Sequence, residues 1–123
     1  MNPATPSGPA KPRVIAVGMH RLRSFFNELA PSYADRATVS VIDRGFEEAA
    51  TQILKMARLE RVDVLVAAGS NGEYLRQRLD IPVVLVRVGG YDVMRALGRA
   101  RDLSPRMALV TYGTTPPDVE QFN

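Results

Sequence analysis

The chain has 123 residues, 46% of them hydrophobic, which is enough for one small domain with its own core. It has no cysteine, which excludes disulfides, thiolate nucleophiles and cysteine-ligated metals, and no apolar run approaches the roughly 18 residues of a membrane span. The net charge is +3, but no helix-turn-helix pattern and no interleaving of aromatic with basic residues accompanies it, so we do not expect this chain to contact DNA directly.

Residues 1–12 contain four prolines and no periodic pattern, so we predict a flexible tail. They also lack the apolar segment of a secretory signal, so we expect a cytoplasmic protein. Residues 13–17 form an apolar run closed by Gly18, which predicts the first strand. Apolar residues from Leu22 to Tyr33 then recur at helical spacing, and Pro31 is expected to end or kink that helix.

The rest of the chain repeats this alternation of strand and helix. A helix with apolar positions from Phe46 to Ala57 follows strand two, and another helix follows Gly90. The remaining predicted elements are strand two (38–43), strand three (63–67), helix three (about 71–79), strand four (82–87) and strand five (107–111).

Strands that alternate with helices imply right-handed crossovers and a parallel sheet covered on both faces. We therefore predict an α/β fold of three layers, a doubly wound parallel five-stranded sheet in the flavodoxin-like order 2-1-3-4-5. At the end of the chain, Thr114 to Asp118 is typical of a helix start, but the sequence stops at Asn123 after barely two turns. We infer that the chain is cut off inside a larger domain.

The loops that follow parallel strands meet at one edge of the sheet, and here they are rich in glycine and arginine. The turns at 69–72 and 87–90 are expected to form the mouth of a binding crevice. A helix that starts near Ser70 would present free N–H groups to an anion, and arginines would add charge-assisted contacts. The predicted ligand-binding residues are Gly69, Ser70, Asn71, Gly72, Arg87, Gly90, Tyr91, Tyr112, Arg21 and Arg44.

A purely structural interpretation of two of these loops stays open. Ser70 and Glu73 have the spacing of a capping box, which alone would explain both residues. Gly89 and Gly90 can likewise be a turn with Asp92 as the helix cap.

Enzyme motifs are incomplete or missing. The stretch from Ala68 to Gly72 misses a nucleophile elbow because Ala68 replaces the first glycine, and His20 is the only histidine. No GxGxxG, P-loop or metal-ligand cluster occurs, so we predict no catalytic residue, metal or cofactor. A phosphoacceptor receiver domain would need acids after strands one and three, where this chain has Gly18-Met19-His20 and Ala67-Ala68.

Several stretches together resemble the N-terminal sensor domain of the propionate catabolism activator family, from about Arg13 to Phe122. The stretches are Ala67 to Gly72, Tyr74-Leu75, Arg78-Leu79, Ile81 to Val83, Gly90 to Val93 and Val110 to Tyr112, with Gly45 to Glu47 also similar.

The resemblance implies a sensor domain of two α/β lobes, like a periplasmic-type binding protein, of which residues 13–123 are the first lobe. It implies sensing of 2-methylcitrate or a related tricarboxylate, which relieves inhibition of an ATPase module that works with an alternative sigma factor. It also places the loops around Ser70, Gly90 and Tyr112 at the interlobe cleft. The ATPase motifs and the DNA-binding helices of the family are not in these 123 residues.

We therefore expect one of two functional classes, ahead of an enzyme. In the first, the chain is a sensing module of a transcription regulator that binds a small polycarboxylate and meets no membrane. In the second, it is a protein-interaction module that forms homo-oligomers, or a remnant without function.

Overall fold

Residues 10–110 are described in a computed structural model of the chain. Strands and helices alternate along it. They are β1 (Arg13–Val17), α1 (Arg21–Leu29), a 3₁₀ turn (Ala30–Tyr33), β2 (Thr38–Ile42), α2 (Phe46–Leu59), β3 (Val64–Ala68), α3 (Gly69–Arg78), β4 (Val83–Val86) and α4 (Gly90–Leu103). The predicted tail, apart from residues 10–12, and the predicted helix start at 114–118 lie outside the described residues.

The strands form one parallel sheet in the order β2-β1-β3-β4. β1 is central, and Val14 pairs with Val39 of β2 on one side and with Val64 of β3 on the other. These four strands have the relative order that the sequence predicted. The α/β class with a parallel sheet is thus confirmed.

The predicted fifth strand is not formed by residues 107–110, which are exposed and irregular; Thr111 lies outside the described residues. After α4, the Arg106 N–H donates to Ser104 Oγ at 3.2 Å in a local bend around Pro105. Residues 106–110 do not join the edge of β4. The sheet of the described residues therefore has four strands.

One face of the sheet carries the main core, under α2 and α3. Ile53, Leu65, Leu75 and Val17 are fully buried there, and each such side chain contributes about 1.5–3 kcal/mol. The buried cluster comprises Ile15, Val17, Ile42, Ala49, Ala50, Ile53, Leu65, Ala67, Leu75 and Leu79.

The opposite face is covered at one end by α1 and the 3₁₀ turn. Phe26 is the buried residue of α1, and Pro31 opens the 3₁₀ turn, as its predicted helix-ending role requires. An apolar cavity of about 270 Å³ lies between these elements and the sheet, lined among others by Val14, Val39 and Tyr33.

Near β4, no element between residues 10 and 110 covers this face. Val84 and Val86 of β4 are 55% and 42% exposed. α4 does not cover them, and within the described part of the chain Val93 is the one buried side chain of α4. Among residues 10–110, the expected cover of both faces is therefore complete only on the side of α2 and α3.

No helix between residues 10 and 110 has the length and apolar character needed to cross a membrane.

Candidate ligand-binding site

The carboxyl edge of the sheet has a topological switch point between β1 and β3. The chain leaves β1 toward α1 on one face, and it leaves β3 toward α3 on the opposite face. In open α/β sheets, ligands bind in the crevice that opens where two neighbouring connections diverge in this way. The diverging segments are the loop 18–20 and the first turn of α3, which starts at Gly69. The crevice therefore lies one strand away from the predicted pair of turns at 69–72 and 87–90.

Both diverging segments contain a residue with left-handed backbone. Gly69 has φ +53°, which glycine adopts without strain. His20, the residue before α1, has φ +53°, which is costly for a side chain with Cβ. These two residues set the directions in which the chain leaves β1 and β3.

α3 begins at Gly69, two residues earlier than predicted, and Ala68 is its N-cap without a side-chain hydrogen bond. Ser70 therefore lies inside the first turn, and Glu73 pairs with Arg76 at 3.0 Å. The capping box predicted from Ser70 and Glu73 is thus not formed. The first N–H groups of α3 have no earlier carbonyl within the helix, and with the helix dipole they favour an anion.

Asn71 holds the start of α2. Its Oδ1 accepts a hydrogen bond from the Phe46 N–H at 2.7 Å, and Phe46 has a left-handed φ of +50°. Asn71, one of the predicted ligand-binding residues, therefore uses its side-chain oxygen to hold the neighbouring loop. Asn71 acts as a tie between the loops after β2 and β3.

An aromatic and charged cluster extends this tie along α3. The Tyr74 hydroxyl donates to the Glu47 carboxylate, and the Phe46 and Tyr74 rings meet edge to face with centroids 5.5 Å apart. The Arg78 guanidinium lies 5.0 Å from the Tyr74 ring centroid. No role was predicted for Tyr74 or Arg78 from the sequence, although Asn71, Tyr74 and Arg78 have the i, i+3, i+7 spacing of one helix face.

Gly72 is buried where α3 crosses the sheet. A Cβ at this position would lie 2.5 Å from Leu85 Cδ2 and 3.2 Å from the backbone carbonyl of Ala67. The residue therefore permits close contact between helix and strand.

The three arginines predicted to bind the ligand have different surroundings. Arg44 donates to the backbone carbonyl of Asp43 at 2.7 Å and lies 3.7 Å from Glu48. Arg21, which opens α1, and Arg87, which follows β4, are exposed and form no ion pair with residues 10–110. Arg21 and Arg87 are therefore available to an anion, whereas Arg44 is already engaged.

The loop after β4 is a turn with a helix cap. The Gly89 N–H donates to Asp92 Oδ2 at 3.1 Å, and Gly90 is the first residue of α4, which confirms the interpretation of Asp92 as the cap. Tyr91 is exposed, and the Arg95 guanidinium lies 5.8 Å from its ring centroid. Tyr112, also predicted at this edge, lies outside the described residues.

No group of histidine and acidic side chains with the geometry of a metal site occurs within residues 10–110.

Comparison with known proteins identifies the family. Residues 33–123 match the sequence profile described as Propionate catabolism activator, which is most of the chain. The chain belongs to the propionate catabolism activator family. As the resemblance from about Arg13 to Phe122 implied, it is an N-terminal sensor domain of that family.

A solved structure shares the fold. The crystal structure of an NtrC family transcriptional regulator from Clostridium acetobutylicum superimposes with a TM-score of 0.73 at 19% sequence identity. The match covers 90% of this chain and 58% of that chain, so this chain spans somewhat more than half of its length. At this identity, the likeness establishes the fold.

Proposed function

We propose that the chain is the small-molecule sensing lobe of a transcription regulator, and that its effector is a tricarboxylate such as 2-methylcitrate. The observation that carries this proposal is the family match over residues 33–123. Regulators of this kind act through an effector that binds two states of the protein with different affinity, so no catalytic group is required.

The carboxyl edge supports an anionic effector. The amides of Gly69 and Ser70 begin α3, and the helix dipole adds to their attraction for a carboxylate. Arg21 and Arg87 stand at the same edge without an acidic partner among the described residues. A hydrogen bond to a charged group contributes about 1.5–3 kcal/mol, so two such arginines would matter for affinity.

We assign different roles to the remaining predicted residues. Asn71 and Gly72 position α3, since the first holds Phe46 and the second packs on Leu85. Gly90 and Tyr91 stay candidates for the rim of the site because they begin α4 at this edge. Arg44 would have to leave Asp43 and Glu48 before it could bind.

The experiment is a thermal melt with and without 2-methylcitrate, with citrate as the control ligand. A ligand at 100 times its dissociation constant adds about 2.7 kcal/mol to the free energy of unfolding, so the midpoint should rise clearly. We expect a larger rise with 2-methylcitrate than with citrate. The absence of any rise in a sample that melts cooperatively would contradict effector binding by this lobe.

Two arginine variants test the location of the site. Arg87→Ala should reduce the ligand-induced rise of the midpoint, because it removes a guanidinium from the carboxyl edge. Arg58→Ala is the matched control, since Arg58 is exposed in the last turn of α2, at the opposite edge of the sheet. Equal rises in both variants would show that Arg87 is not part of the site.

A further inference from the structure

Within residues 10–110, the backbone groups on the outer edge of β4 have no strand as a partner. The Pro82 carbonyl accepts the Leu65 N–H of β3 at 2.8 Å, so the backbone groups of position 82 point toward β3. Backbone groups alternate in direction along a strand, so those of Val83, Leu85 and Arg87 point outward. No described strand pairs with this edge.

That edge is only partly protected. Natural sheets block exposed edges with charged residues, prolines or bulges, and here Pro82 precedes β4 and Arg87 follows it, but Val83 to Val86 between them are all uncharged and apolar. Val84 and Val86 also leave one face exposed. β2, the opposite edge strand, differs because α1 and the 3₁₀ turn pack over it.

We propose that β4 is a self-association surface, on which the β4 strand of a second copy pairs antiparallel. The ladder is self-complementary around Leu85. Leu85 lies opposite Leu85 of the second copy, and Val83 lies opposite Arg87 of the second copy, so all outward backbone groups find partners. Val84 then lies opposite Val86 of the second copy, and the four exposed valines form one apolar patch.

The charges favour the antiparallel direction. In a parallel pair the two Arg87 side chains would lie side by side. In the antiparallel ladder they are four residues apart along the strands, about 13 Å at the usual rise, which exceeds the Debye length of about 8 Å at physiological ionic strength. The pairing therefore joins the apolar strands without opposing like charges.

This inference goes beyond the sensing function and does not depend on it. The test is the mass of the chain in solution over a wide range of concentration, measured by sedimentation. We expect the mean mass to rise toward that of two copies. The double substitution Val84→Lys, Val86→Lys should abolish the rise, because it places lysines opposite lysines. Leu59→Lys, on an exposed residue of α2, is the matched control and should leave the rise unchanged.

A charge-swap experiment identifies the occupant of the edge. A mixture of the lysine pair with Val84→Glu, Val86→Glu should restore a mass of two copies, since each lysine then faces a glutamate. A mixture that stays monomeric would overturn the proposal.

Amide exchange provides an independent measurement. The amides of Val83, Leu85 and Arg87 should become protected as the concentration rises, while Val84 and Val86, which point to β3, should stay protected throughout. Protection of the outward amides that does not vary with concentration would show that another segment of the same chain covers the edge, and would overturn the proposal.

Discussion

The residues at the start of α3, directly after β3, have separate structural roles. Gly69 provides the left-handed turn into α3, Asn71 holds the Phe46 amide, and Gly72 lets α3 approach the sheet. The sequence indicated all three as ligand-binding residues. Their contacts give Asn71 and Gly72 structural roles in placing α3.

Gly72→Ala should lower the free energy of unfolding by about 1–3 kcal/mol, the usual effect of an extra methyl group in a packed core. The new Cβ would stand 2.5 Å from Leu85 and 3.2 Å from the Ala67 backbone, and the backbone cannot move aside as a side chain can. Urea denaturation measures the change.

Gly98→Ala is the matched control within α4. A Cβ at Gly98 meets nothing within 4 Å, and alanine is favoured over glycine in a helix interior by about 0.8–1 kcal/mol. The control should therefore stabilise the chain. Similar destabilisation by both alanines would contradict the packing role of Gly72.

Asn71→Ala should destabilise the chain by about 0.5–1.5 kcal/mol, the net contribution of one hydrogen bond, and should speed hydrogen exchange at the Phe46 amide. Asn71→Asp keeps an acceptor in the same place, and a negative charge in the first turn of a helix is favourable. The aspartate variant should therefore retain stability and slow exchange. Equal losses in both variants would argue against the tie to Phe46.

At the scale of the elements, hydrophobic periodicity predicted most of the fold. β1 occupies the predicted residues 13–17, and the other strands and α2 differ by one or two residues at their ends. The start of α3 was missed because the spacing of Ser70 and Glu73 is a local signal, whereas the helix begins at the left-handed turn of Gly69. The apolar run at 107–110 has the composition of a strand. A strand forms only where a neighbouring strand pairs with it, and the local sequence does not specify that pairing.

α4 is weakly held by the core. Its one buried side chain is Val93, whereas α2 buries Ala49, Ala50 and Ile53. We expect its amides to exchange through local opening, at lower free energy than those of Ile15 and Val17, which should require global unfolding. Native-state hydrogen exchange at increasing denaturant measures both, and equal opening free energies would contradict the prediction.

At the scale of the whole molecule, the sequence located the edge that carries the candidate site but not its internal contacts. The bond between Phe46 and Asn71 and the contact between Glu47 and Tyr74 join residues more than twenty positions apart. Such pairs depend on how α2 and α3 pack, which no local pattern specifies. The stretch from Ala67 to Gly72, which contributes to the family resemblance, also makes structural contacts. Its sequence alone therefore does not separate packing from ligand binding.

The central position of β1 has a consequence for how the chain folds. β1 is made first, yet Val14 pairs with Val39, 25 positions later, and with Val64, 50 positions later. Doubling the loop adds only about 0.6 kcal/mol of closure entropy, so distance alone does not delay the second pairing. The buried cluster around Ile15 and Val17 nevertheless stays incomplete until residues 65–79 exist, because Leu65, Ala67, Leu75 and Leu79 belong to it. During synthesis we therefore expect β1, β2 and α2 to pack first, and the core to close only after β3 and α3 have been made.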